Sequence, residues 1–214
     1  MADKPRHSSA VTLDRILATA RDAFAEHGFD GARLDSIAKA AGVTKQLVYH
    51  YFKTKEELYS VVLDRVSDEV LAMLDSPDYD TLPPGDAVCS LIGRVIDAYV
   101  ERPYIAGMTV DQGLHKGEHI SRHSKYMPSV RVFVAERVAP MLERGVAEGL
   151  FRPDIDARLF YWSIFALASA PFTQSWAMAQ STGIDFSRDD GIALWRDHVS
   201  SFALQAIMRR ALPR

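Results

Sequence analysis

Apolar residues recur at helical spacing along nearly the whole chain. Leu13, Ile16, Leu17, Ala20 and Phe24 share one stripe, and Val88, Leu91, Ile92, Val95, Ile96 and Tyr99 share another. No pair of alternating runs flanks an Asn-Gly or Asp-Gly turn, so the pattern predicts an all-α protein. The first helix is expected to start behind Thr12 as cap and to end at Gly28. Two short helices follow. Leu34, Ile37, Ala38 and Ala41 make an apolar face over 34–41, Gly42 and Val43 break it, and Thr44 is placed to cap a second short helix through Tyr51. Thr54 and Glu57 then have capping-box spacing ahead of a longer helix bearing Leu58, Val61, Val62 and Val66.

A stretch rich in Pro, Asp and Gly over 75–86 separates this helix from the Val88 to Tyr99 run. Pro103 opens a short helix over 104–114, and 115–124 is polar and reads as a loop. A long helix is expected over 126–148, kinked at Pro140 and closed by Gly149. Asp154 is placed to cap another over 154–180, with Pro171 inside. The last helix starts near Ser187, runs to about residue 210 and carries Ile192, Trp195, Val199, Phe202, Ala206 and Ile207. The expected organisation is an amino-terminal three-helix domain with a short arm over 1–55 and a larger helical domain over 56–214.

The composition of the 214 residues, 48% hydrophobic and 25% charged, is that of a globular chain of one or two domains. No run of 18 uncharged apolar residues occurs and MADKPRHSSA at the start has no apolar stretch, so neither a membrane span nor secretion is expected. A single cysteine, Cys89, excludes an internal disulfide and suits a reducing cytoplasm. The net charge of −3 is unevenly spread. Residues 1–55 hold nine Lys and Arg against six acids, and 36–55 contain four lysines and no acid, a local excess that a polyanion can use.

Two short helices joined by Ala40-Ala41-Gly42-Val43, behind a packed first helix, form a helix-turn-helix, whose second short helix lies in the DNA major groove. Small residues let the helices approach, and Gly42 tolerates a left-handed turn. Lys45, Gln46, Tyr49 and His50 are the expected exposed residues of the second helix, all able to donate hydrogen bonds to phosphates or base edges. Val48 and Phe52, with part of Tyr51, are expected to point inward, and Tyr49 outward. Apolar pairs around a small turn also occur in bundles that never meet DNA.

The longer string GFDGARLDSIAKAAGVTKQLVYHYFKTKEELYSVV carries a more specific signal. Gly28-Phe29, Ile37-Ala38, Ala41-Gly42-Val43, the hydroxyl cap at Thr44, Tyr49 to Phe52, and Lys55-Glu56 followed by Leu58 closely resemble the amino-terminal DNA-binding domain of TetR family transcriptional regulators. The likeness in sequence covers roughly residues 12–62. Beyond it, the order and lengths of the helices are similar to those of the family, whose carboxyl-terminal domains bind diverse small molecules and dimerise through their last two long helices.

The resemblance implies that Lys45, Gln46 and Leu47 read bases, that Tyr49 and His50 contact the phosphate backbone, and that Lys55 pairs with a phosphate at the start of its helix. Lys and Gln suit guanine and adenine edges, and Leu47 suits a thymine methyl. The sequence departs from the family at Ala32 and Arg33, where threonine or serine hydroxyls usually stand before the second helix. Arg33 can replace that phosphate contact electrostatically. Gln46 stands where glycine is frequent and puts a longer side chain in the groove.

His115, His119 and His123 recur every four residues beside Glu118, a spacing that would align imidazoles for zinc or nickel on a helix. Gly117 and the polar setting favour a solvated loop, so no metal or other cofactor is expected. No nucleophile elbow, HExxH or phosphate loop is present. The alternative to a regulator is a helical ligand-binding enzyme or adaptor without specific DNA binding. Aromatic and sulfur-bearing side chains are dense between Tyr99 and Trp176, and Tyr104, Met108, Tyr126, Phe133, Phe165 and Trp176 are the expected lining for an apolar or aromatic effector. Helices 154–180 and 187–210 are apolar over wide arcs and need a second covering surface, for which the resemblance implies a homodimer. A twofold dimer demands a near-palindromic double-stranded operator. The expected protein is thus an all-helical homodimeric repressor, released from DNA by a small ligand.

Overall fold

The structure, a computed structural model, describes residues 4–120 and 123–209. The first residues of the expected arm, 1–3, and the final residue of the expected last helix, Arg210, lie outside the described residues. Among the described residues the chain is helical, with a lone antiparallel bridge between Phe151 and Met208. It forms two compact units, one of Met1–Asp68 with Pro103–Tyr126, the other of Glu69–Arg102 with Met127–Arg214. The expected boundary at residue 55 lies inside the first unit, where Tyr59 meets Phe24, Arg65 pairs with Asp14 and a helix distant in sequence packs against the first helix.

In the first unit α1 (Lys4–Gly31) buries Ile16, Leu17, Ala20 and Phe24 along its stripe. It starts eight residues ahead of Thr12. Pro5 falls in the first turn, where its missing N–H breaks no helical bond, and no breaker follows before Gly28. At Gly28 the backbone leaves the helix (φ 68°, ψ 177°) and resumes for one short turn. The short helices are α2 (Leu34–Ala40) and α3 (Lys45–Tyr51), followed by α4 (Lys55–Leu74). Ile37, Ala38, Ala41, Val48, Phe52 and Leu58 close this core.

The unit is completed by a helix from later in the chain. It is α6 (Tyr104–His115), which follows α5 (Pro84–Glu101) of the second unit and lies against α1. The approach is close: a Cβ placed on Gly107 would stand 2.0 Å from the Ala25 carbonyl oxygen. Phe24 and Phe29 meet Tyr59 edge-on, with centroids 5.0 and 5.2 Å away, beneath the same contact.

In the second unit α5 buries Val88, Leu91, Ile92, Val95, Ile96 and Tyr99, and three later helices of the unit pack against it. The expected single helix over 126–148 is α7 (Tyr126–Phe133), a π turn (Val134–Val138) and α8 (Ala139–Ala147). Pro140 offers no N–H and its ring crowds the carbonyl four residues back, so the helix widens just before it, and Ala139 N–H bonds to Val134 O, five residues back. The expected helix over 154–180 is likewise two, α9 (Ala157–Thr173) and α10 (Ser175–Thr182), parted at Gln174 shortly after Pro171. Its cap is Asp156 rather than Asp154: the Asp156 carboxylate accepts from the Arg158 and Leu159 N–H groups, while Asp154 pairs with Arg152 at 2.7 Å. The last helix, α11 (Asp189–Ile207), is tied to α9 by Trp195 Nε1–H donating to Leu167 O at 3.0 Å.

Gly107→Ala is expected to destabilise the protein by about 1–3 kcal/mol, since the new methyl meets backbone that cannot turn aside. Thermal unfolding should show it as a drop of several degrees in Tm.

Candidate nucleic-acid interface

α2 and α3 meet around Gly42, which holds φ 64°. The turn is fastened by Ala41 N–H to Ile37 O at 2.8 Å and Val43 N–H to Ala38 O at 3.0 Å. Thr44 caps α3, its hydroxyl accepting from Leu47 N–H at 3.2 Å. Arg33 occupies the cap position of α2 in extended conformation and makes no side-chain cap bond, which leaves its guanidinium exposed. Thr54 caps α4 by accepting from Glu57 N–H at 3.1 Å. The return bond of the box is displaced by one residue, from Lys53 N–H to Glu57 Oε2 at 2.9 Å.

α3 is sided as its periodicity predicts. Val48 and, just beyond the helix, Phe52 are buried, Leu47 and Tyr51 are half-buried, and Lys45, Gln46, Tyr49 and His50 are exposed. The Tyr51 hydroxyl is held by Ser9 Oγ at 2.8 Å, so that phenol works as a brace between α3 and α1. Two of the expected DNA-contacting lysines have protein partners. Lys45 Nζ is 2.8 Å from Asp35 Oδ1, a bond that raises its pKa and tethers α3 to α2. Lys55 is half-buried, with Nζ 4.5 Å from the Phe29 ring centroid and donating to Asp30 O at 3.3 Å. Arg33, Lys39, Lys45 and Lys53 are the exposed cations of 33–53, against the exposed acid Asp35.

Behind this face sits a charged residue that sequence reasoning missed. Asp111 of α6 is buried, its carboxylate accepting from Phe29 N–H at 2.8 Å and from the Tyr59 hydroxyl. A Cβ on Gly28 would come 2.7 Å from Asp111 Oδ1, so glycine there both reverses the backbone and makes room for the carboxylate. Burial, followed by the hydrogen bond to Asp111, holds the Tyr59 phenol above its ordinary range. The signal was present: Asp111 lies on the same face of its helix as the apolar Met108.

The six expected effector residues are divided between the two units. Tyr104 lies under the Arg21 guanidinium at 4.0 Å and Met108 is buried, both in the first unit. Tyr126 N–H is held by Asp64 Oδ1 at 3.2 Å. In the second unit Phe133 and Phe165 both meet Tyr161, with centroids about 6.0 Å away, whereas Trp176 is 77% exposed. None of the six lines the open cleft of about 710 Å³ bordered by Met73, Cys89, Arg94, Asp97, Arg196 and Ser200.

Comparisons with known proteins agree with this architecture. The family model for bacterial regulatory proteins of the tetR family matches residues 16–62, and that for the tetracyclin repressor-like carboxyl-terminal domain matches residues 84–202. The chain belongs to the TetR family of transcriptional regulators. It is a DNA-binding protein of that family, and the helix-turn-helix of α2 and α3 is its DNA-binding element. It is 27% identical over 198 residues to the transcriptional repressor NicS of Pseudomonas putida, covering 92% of this chain and 93% of NicS. It is 41% identical over 80 residues to the transcriptional regulator RutR of Escherichia coli, 36% of this chain and 38% of RutR. Among solved structures, the regulator SCO4942 of Streptomyces coelicolor superposes with a TM-score of 0.70 at 24% identity, over 92% of this chain and 98% of that one. FadR of Bacillus subtilis, solved with stearoyl-CoA, superposes with a TM-score of 0.66 at 19% identity, over 91% and 99%. These two likenesses show the fold. Among the described residues no helix is long and apolar enough to cross a membrane.

Tyr59→Phe is expected to lower the unfolding free energy by about 1–3 kcal/mol, because it leaves a buried carboxylate without its donor. Since the folded phenol keeps its proton above the unfolded pKa of about 10, this contribution is present below that pH and declines above it. Denaturant titrations of variant and parent should therefore converge in strong alkali.

Proposed function

We propose that the protein is a cytoplasmic homodimeric repressor that binds a near-palindromic operator and leaves it when a small apolar or aromatic effector binds. The observation that carries the reading is the sidedness of α3, which turns Lys45, Gln46, Tyr49 and His50 outward while Thr44 and Val48 fix the helix in place. In this reading Lys45, Gln46 and Leu47 read bases, and Arg33, Thr44, Tyr49, His50 and Lys55 hold phosphates. Lys45 would exchange or share its Asp35 partner on DNA, so Asp35 biases how that ammonium is aimed.

The dimer is proposed from α9 and α11. Leu159 and Trp162 on the first and Leu194 and Phe202 on the second are exposed, more apolar surface than two packed helices leave uncovered without a partner. A twofold axis there would set two α3 helices into successive major grooves about 34–36 Å apart. The cluster of Phe133, Tyr161, Phe165 and Trp162 supports an apolar or aromatic effector. The element proposed to carry the signal is α4, which starts beside the helix-turn-helix and continues past residue 68. An effector that reverses a 99:1 preference must favour the released state by about 5.5 kcal/mol.

Fluorescence anisotropy on DNA upstream of the protein's own gene, beside a scrambled duplex, tests the reading. Tight binding to the first, several hundredfold above the second, is expected. Equal weak binding, with no sequence enriched from a random pool, would overturn it. Within that assay Lys55→Ala should weaken every duplex alike and flatten the salt dependence by about one unit of slope, whereas Gln46→Ala should change the preference at particular base pairs. Phe202→Asp should shift the protein to monomer in analytical ultracentrifugation and lower operator affinity with it.

A further inference from the structure

In the polar stretch at the end of α6 and after it, His115 and His119 are half-buried against the first unit, whereas Lys116, Glu118 and His123 are exposed. His115 closes the last turn of α6 and is largely covered, and its Nε2 lies 3.5 Å from Asp111 Oδ1 and 3.9 Å from Asp30 Oδ2. His119, one helical turn on in sequence, stacks on Phe29 with centroids 3.6 Å apart, and its carbonyl accepts from Ser60 Oγ at 3.3 Å. A ring nitrogen of each histidine and a carboxylate oxygen of Asp30 all lie within 4.8 Å of one another.

We propose that Asp30, His115 and His119 form a binding site for one divalent transition metal ion of the zinc class. Two imidazoles and a carboxylate are a zinc donor set, with bonds of about 2.0–2.2 Å that bring ligand atoms to roughly 3.4 Å from each other and leave a fourth position for water. The observed separations need closing by little more than about an ångström. Asp30 can supply that movement, because its carboxylate is exposed and the nearby Lys55 ammonium is bonded to its backbone carbonyl instead. The histidines are already placed, one by its helix and the other by the Phe29 stack and the Ser60 bond. Asp111 adds a second carboxylate beside the same His115 nitrogen, which offsets the Lys55 ammonium held at the Asp30 carbonyl. His123, the third histidine of the sequence pattern, is not among the three groups that converge. A metal so held ties the end of α6 to the turn after Gly28, from which the chain enters α2.

The test is direct binding by the full chain, with no DNA present, so that its outcome is independent of the regulatory reading. Protein freed of metal by chelator is titrated with cobalt(II), followed in the visible range, and with zinc(II) in competition against a chromogenic chelator. One ion per chain, a four-coordinate cobalt spectrum and a rise in Tm with zinc are expected. Asp30→Asn, His115→Gln and His119→Gln should each weaken zinc by more than about tenfold, and His198→Gln, on the other unit, should leave it unchanged. Far-ultraviolet circular dichroism of the metal-free variants confirms that they are folded. No uptake at micromolar zinc by the parent protein, or uptake undiminished in all three folded ligand variants, would overturn the proposal.

Discussion

The close seating of α6 on α1 is the constraint on which the first unit depends. At Gly107 the two backbones approach until no side chain fits between them, and four residues on, Asp111 inserts a carboxylate into the apolar interior. Such a group is tolerable only because each oxygen finds a donor, one in the Phe29 backbone and one in the Tyr59 hydroxyl. Those two donors belong to α1 and α4, so one buried anion fixes the relative positions of three helices. The glycine at 28 belongs to the same arrangement, since it turns the chain and leaves space for the carboxylate at once.

The recognition surface inherits its rigidity from this base. α3 is only seven residues long and could not persist alone. It is held by the Thr44 cap, the buried Val48, the Tyr51 bond to α1 and the Lys45 pair with Asp35. The outward residues are thereby presented with little freedom left to lose on binding DNA. The Asp35 pair also offsets part of the positive charge on this face, since the Lys45 ammonium is bonded to a carboxylate of α2.

Prolines shape the second unit in a different way. Pro140 and Pro171 both lie inside long helical patterns, and both are accommodated without ending the packing: one by a π turn, the other by a break at Gln174 and a fresh helix. Packing continues beside these interruptions: Phe133 of α7 meets Tyr161 of α9, which in turn meets Phe165 of the same helix.

Periodicity and capping residues by themselves determined the all-helical class, the α2–turn–α3 arrangement, the burial of Val48 and Phe52, and the exposure of Lys45, Gln46, Tyr49 and His50. These are local matters: helical spacing, a left-handed glycine and a hydroxyl cap act within a few residues of each other. They also misplaced the start of α1 and the cap of α9, where the Asp156 carboxylate prevails over the equally plausible Asp154. What only the tertiary structure decided is the company that distant residues keep. No pattern along the chain shows that α6 leaves its neighbours to complete the first unit, that Asp111 is buried against Phe29 and Tyr59, that Asp30 meets His115 and His119, or that the expected effector residues are divided between two units. Side chains 52 and 82 positions apart are brought together by the summed packing of helix faces, and that sum is not written in any one of them.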